Sequence, residues 1–256
     1  MRIAFTAFAL LPAVVLASSA LDGTWKLRAD SVKTSGKPDS RLIENGAYSC
    51  SSCTPAIDKL PADGAYHKVA GHAYYDEMKV TIISPTSIEV ATQRGGKPAG
   101  VTTYTLSADG NTANGKFTDY SGSAPATGAF TEKRAAPAPA GAHATSGSWM
   151  PGALTSANDA LTIVVYAMTA DGFSMKSNGQ SYEAKFDGKQ YPITGDPGGT
   201  KVTLKKIDEH TVQETDYRQG KVVDEIHLAA SGKALELTDK DLARGQTTTM
   251  TFDKQP

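Results

Sequence analysis

The chain contains one internal repeat, and no other feature constrains its fold as much. Gly23-Thr24-Trp25 recurs as Gly147-Ser148-Trp149, an offset of 124 residues. The same offset pairs Asp63-Gly64 with Asp187-Gly188, Gly71 with Gly195, and Ile88-Glu89 with Val212-Gln213. It also pairs Arg94, Gly96 and Lys97 with Arg218, Gly220 and Lys221. Beyond that Gly-Lys turn the register slips by two, and Leu106-Ser107-Ala108-Asp109-Gly110 aligns with Leu228-Ala229-Ala230-Ser231-Gly232. One register accounts for both tryptophans. The matches fall on Trp, Gly and turn residues, where backbone geometry leaves least choice.

Residues 135–145 separate the copies and are mostly Ala, Pro and Gly. Such a stretch cannot bury a face and reads as an extended spacer. The units are then 21–134 and 146–256. Within each, apolar and polar residues alternate with period two, as in Met78-Lys79-Val80-Thr81-Ile82, Val202-Thr203-Leu204-Lys205 and the run from Ala160 to Tyr166. Val, Ile, Thr and Tyr dominate these runs, which suits a pleated, half-buried surface. Turn dipeptides punctuate them: Asp63-Gly64, Gly95-Gly96, Asp109-Gly110, Asp171-Gly172, Asn178-Gly179, Asp187-Gly188 and Ser231-Gly232. This spacing predicts about eight strands in the first copy and about nine or ten in the second. No amphipathic helix of three turns stands out, and 238–244 fits strand and loop better than helix. A long meander removes its edges by closing on itself. The expectation is an all-β chain of two tandem antiparallel up-and-down barrels of about eight to ten strands. Each copy would roll its own sheet around its own tryptophan, Trp25 or Trp149.

The opening Gly-x-Trp strands resemble those of lipocalins and fatty-acid-binding proteins, members of the calycin group, in which the Trp packs over the closed end of the barrel. The whole set is similar to secreted bacterial tandem-repeat proteins of unassigned function described as lipocalin-like. That set comprises Gly-x-Trp, the two Asp-Gly turns at 63 and 187, Pro192-Ile193-Thr194-Gly195, Gly220-Lys221 and the Asp109-Gly110 hairpin. The resemblance implies a barrel fold and export, and no chemistry.

The N-terminus supports export independently. Arg2 precedes an apolar run from Ile3 to Ala17, broken only by Thr6 and Pro12, and Ser18-Ser19-Ala20 offers a small-x-small cleavage site. Cleavage there would remove 1–20; Val15-Leu16-Ala17 is a second option. The run is about fifteen residues, short of the roughly 20 that span a bilayer. The expectation is a signal peptide, a periplasmic or secreted mature chain, and no transmembrane span. Lys and Arg total 26 against 27 Asp and Glu. With no basic patch, nucleic acid is not an expected partner.

The only cysteines, Cys50 and Cys53, precede His67 and His72 with the spacing of a Cys2His2 zinc site. Export favours a disulfide instead, and the second copy carries Ser174, Ser177, Tyr191 and Asp196 at the matching positions. A disulfide, free redox-active thiols and zinc all remain open, and no other cofactor is expected. Around Gln219-Gly220, alternation puts Glu214 and Asp216 on one face of a strand and Glu225 and His227 on one face of the next. If these point inward they form a titratable binding patch; if outward, a solvated face. His143 lies in the spacer with no evident role. No phosphate loop, dinucleotide fingerprint, HExxH or GxSxG motif occurs. A non-catalytic barrel is therefore expected. It would hold a small apolar or amphipathic ligand among Tyr104, Phe117, Tyr166 and Phe186, with Glu214 and Asp216 as polar candidates. The alternatives are an envelope-associated interaction protein without a small ligand, and a thiol-redox or metal-binding protein using Cys50 and Cys53.

Overall fold

The computed structural model describes residues 19–256; the leader expected over 1–20 therefore lies almost wholly outside the described residues. The strands are β1 Gly23–Leu27, β2 Lys33–Gly36, β3 Asp39–Glu44, β4 Ala47–Cys50, β5 Ile57–Pro61, β6 Tyr66–Lys68, β7 Glu77–Ser84, β8 Ser87–Arg94, β9 Lys97–Leu106, β10 Thr112–Asp119 and β11 Ala126–Ala136. They continue as β12 Gly147–Ala157, β13 Ile163–Met168, β14 Gly172–Ser177, β15 Gln180–Lys185, β16 Tyr191–Pro192, β17 Lys201–Lys206, β18 Thr211–Arg218, β19 Lys221–Ser231, β20 Ala234–Asp241 and β21 Gln246–Lys254. Among the described residues helix is confined to a turn at Ala29–Ser31 and to α1, Asp159–Thr162, capped by the Asn158 side chain. The protein is all-β, with two nearly closed antiparallel barrels of ten strands each.

The duplication is visible in the backbone. Gly23 and Gly147 share a φ of 126° and 125°, Gly71 and Gly195 one of 81° and 82°, and Gly96 and Gly220 one of 76° and 77°. At Gly147 a side chain is excluded twice over, since a Cβ would also lie 2.6 Å from the Ala136 carbonyl. Trp25 and Trp149 are both fully buried. Their indole N–H groups donate to the carbonyls of Leu21 and Thr145, each four residues upstream, at 2.9 and 3.0 Å. A cation covers each ring, Lys254 over Trp25 and Arg134 over Trp149.

The barrels, however, do not coincide with the sequence copies. The strand order of the first barrel is β5-β4-β3-β12-β11-β10-β9-β8-β7-β6, and that of the second is β15-β14-β13-β1-β21-β20-β19-β18-β17-β16. The opening strand of each copy thus sits in the other copy's sheet. Trp149 pairs with Arg134 of β11 and Asp39 of β3, and Trp25 with Lys254 of β21 and Val164 of β13. The expected units 21–134 and 146–256 are corrected accordingly: the first barrel runs from Asp39 to Ala157, and the second joins β1 to β13–β21. β2 adds to the second barrel as a further strand on β21. The exchange makes β11 and β12 a hairpin, while β1 is met by β13 and β21 from far along the chain. Because the two opening strands are copies, each fills the equivalent place in the other sheet, as in a domain swap within one chain.

The stretch 135–145 is accordingly not an extended spacer. It is the loop of the β11–β12 hairpin, folded against the end of the first barrel. His143 has a role here: its backbone N–H donates to Ile43 and its ring bridges Thr145 and the Ser84 carbonyl. Arg134 hydrogen-bonds the carbonyls of Gly110, Ser146 and Ala144. Among the described residues no helix is long and apolar enough to cross a membrane, which does not bear on crossing by strands.

Candidate functional site

Alternation along β3, β8, β9 and β10 turns Arg41, Val90, Thr92, Thr102, Tyr104 and Phe117 into the first barrel. There they line a cavity of about 670 Å³ together with Tyr48, Phe130 and Glu132. Glycines make room for the rings. Phe130 lies over Gly115 and Phe117 over Gly128, each its direct cross-strand partner, and a Cβ at Gly115 would come 2.2 Å from the Phe130 ring. Tyr104 meets Phe130 edge-on at 6.0 Å.

An ion pair crosses this interior. The Arg41 guanidinium donates to Glu132 Oε2 at 2.6 Å and to the Thr145 carbonyl at 3.1 Å. It lies 4.1 Å from the Tyr104 ring centroid and 4.8 Å from that of Trp149. Arg41 and Glu132 are only 6% and 4% exposed. Burial holds the Glu132 carboxyl above its usual range despite Arg41. Burial first, and then the Glu132 charge, pushes the Tyr104 phenol up to about 12, and burial likewise raises Tyr48. The cavity mouth faces the second barrel and is bordered by Tyr74 and Tyr75 of the first and by Arg244 and Gln246 of the second. Arg94 bonds the Pro197 carbonyl there, and Arg218 lies 5.1 Å over the Tyr74 ring.

The second barrel is built differently. Cross-strand register makes Tyr166 the counterpart of Arg41, since each faces the glycine of a Gly-x-Trp strand; Phe252 is likewise the counterpart of Glu132. Its own polar groups stand where the first barrel has Val90 and Thr92: these are Glu214 and Asp216, both buried and directed inward. The Tyr182 hydroxyl donates to Glu214. Of the next strand's pair, Glu225 and His227 point outward, with Glu225 near Lys240, while Asp224 and Ile226 take the inner face. A bulge between Asp216 and Tyr217 helps to set this register, so of the two orientations left open for Glu225 and His227 the outward, solvated one holds.

The six candidate ligand residues are not brought together. Tyr104 and Phe117 share the first cavity, and Tyr166 shares the second with Glu214 and Asp216. Phe186 borders a separate depression with Gly188 and Lys205. Cys50 and Cys53 form a disulfide at the margin of the first cavity. His67 hydrogen-bonds Asp63 and His72 stacks on Tyr75 at 4.5 Å. Among the described residues no three His, Cys, Asp or Glu side chains are grouped to hold a metal ion.

Arg41, Glu132, Tyr48 and Phe130 are absent from the sequence expectations. For Arg41 a signal exists, because alternation puts it on the face of Ile43. For Glu132 the same kind of signal exists, because alternation puts it on the face of Phe130, but its pairing with Arg41, 91 residues away, is not legible. A scan against family models found no match to the chain, and a search of curated proteins found none either.

Proposed function

We propose that the chain is an exported, non-catalytic binding protein that carries a small amphipathic ligand inside the first barrel. The carrying observation is the cavity of about 670 Å³, in which six aromatic rings share the wall with the Arg41–Glu132 pair. Its size falls in the range of small-molecule sites, roughly 300–1,000 Å³. Rings bury an apolar body, while a charged, hydrogen-bonded group orients a polar end. That mixed lining favours an amphipathic ligand over a purely apolar one. The leader-like N-terminus and the resemblance to lipocalin-like secreted proteins support export.

Native mass spectrometry of protein purified from its own host tests the reading. The expected result is a retained small molecule that is lost from Thr102→Phe, a substitution that fills the cavity between Val90 and Phe117. A bare mass for the unaltered protein, or a molecule retained equally by Thr102→Phe, overturns it.

A further inference from the structure

The inner face of the second barrel carries an acidic surface. Three adjacent strands contribute to it: Glu214 and Asp216 from β18, Asp224 from β19, and Asp239 and Asp241 from β20. Register sets Glu214 beside Ile226 and then Asp239, and Asp216 beside Asp224 and then Asp241. Arg218 pairs with Asp224 at 3.5 Å and Arg244 with Asp241 at 3.8 Å. Among the described residues no cation pairs with Glu214, Asp216 or Asp239.

The decisive feature is Asp216. It is 8% exposed, and its Oδ1 is buried without a hydrogen-bond partner among the described residues. With Glu214 it lines a cavity of about 280 Å³ whose remaining wall is largely hydrocarbon and ring, including Tyr166, Met175, Leu237 and Phe252. A buried acceptor without a donor is costly, because it has lost water and gained nothing. Asp216 is hydrogen-bonded to the Glu214 carboxyl, and the polar side chains of the wall, Thr162, Ser177 and Gln180, make no hydrogen bond to its Oδ1, which leaves that oxygen to a ligand's donor. A metal ion would need several converging oxygen ligands, and no such group of three exists among the described residues.

We propose that this cavity binds an organic cation, a primary ammonium on a short apolar body, with Asp216 and Glu214 accepting its N–H bonds and Tyr166 and Phe252 packing its hydrocarbon. The site is independent of the first barrel's ligand. It has the opposite charge character and lies on positions that the other copy fills with Val90 and Thr92. The groups facing the pair are Tyr166 from β13, Tyr182 from β15, Arg218 on β18, Asp224 from β19, and Asp239 and Asp241 from β20, with Arg244 in the following loop. Burial first, and then the Glu214 charge, pushes Asp216 up to about 9. Without a cation the pair therefore holds a proton at neutral pH. The ammonium takes that proton's place, and the proton leaves to the buffer.

Calorimetric titration of the whole chain at pH 8 tests this, using hexylammonium, hexan-1-ol and hexanoate in buffers of different ionisation enthalpy. Hexylammonium is expected to bind with release of about one proton. The neutral and anionic probes should bind at least about tenfold more weakly, the loss of a charge-assisted hydrogen bond. Asp216→Asn should weaken hexylammonium by about tenfold and abolish the proton release. Equal binding of the three probes, no binding of hexylammonium, or undiminished binding to a folded Asp216→Asn protein overturns the proposal. If that variant does not fold, probe selectivity and proton release of the unaltered chain decide by themselves.

Discussion

Cutting the chain at its sequence copies and cutting it at its sheets should have opposite outcomes. A fragment of residues 21–134 contains the whole first copy but lacks β12. It loses Trp149, which is fully buried, together with the strand bridging β11 and β3. Truncating a buried Trp costs about 3–5 kcal/mol by itself, and a domain's entire stability is about 5–15 kcal/mol. Loss of the strand adds two unpaired edges and frees Arg134 from the Ser146 and Ala144 carbonyls. No folded barrel should remain. A fragment of residues 37–158 keeps all ten strands and gives up mainly contacts with the second barrel. Those include Gln246 to Asp39 at 3.2 Å, Arg94 to Pro197, and Asn178 to Ser123 and Ala124. Such exposed polar contacts contribute about 0–1 kcal/mol each. Trp149 is the only tryptophan in this fragment, so its fluorescence reports burial directly. Urea titration followed by fluorescence and far-ultraviolet circular dichroism should give a cooperative transition for 37–158 and none for 21–134. The reverse result would refute the strand exchange.

The buried carboxyls of the second barrel predict an unusual pH dependence. Asp216 is raised to about 9 and Asp239 to about 7, both mainly by burial, so the folded protein holds protons that the unfolded chain has released. Their stabilising effect is complete below about pH 4 and is lost as pH rises through 7 and 9. Between pH 5 and 8, urea unfolding should show stability falling by about 1.4 kcal/mol per pH unit for each excess bound proton. Asp216→Asn should flatten the slope; parallel, flat profiles for both proteins would contradict the assignment. In the first barrel, Arg41→Met alone strands the Glu132 carboxylate and should cost about 3–5 kcal/mol, whereas adding Glu132→Leu should recover most of that. A double variant no more stable than the single one in the same denaturation assay would show that the pair is not the coupled unit its 2.6 Å contact suggests.

Much of the fold was legible because the informative residues act locally. Asn178-Gly179 and Gly95-Gly96 need positive φ wherever the chain goes, and all four adopt it. Period-two alternation placed Glu214 and Asp216 on one face, and burial confirms that this face is the inner one. Alternation also put Glu225 and His227 on one face but left inner or outer open, which the bulge after Asp216 decides once the strands pair. It also missed the Arg41–Glu132 pair, whose members meet only once the barrel has closed.

What the sequence alone determined was the period: two copies of one strand-rich unit, each with a Gly-x-Trp strand, in an all-β chain. A repeat keeps the same period whichever residue is taken as its start. The phase, meaning which opening strand completes which sheet, therefore had to come from tertiary structure. There β12 completes the first sheet between β3 and β11, and β1 completes the second between β13 and β21. The two interiors were likewise decided only in three dimensions. One barrel was left with a salt-bridged aromatic cavity, and the other with a buried carboxyl whose oxygen has no donor.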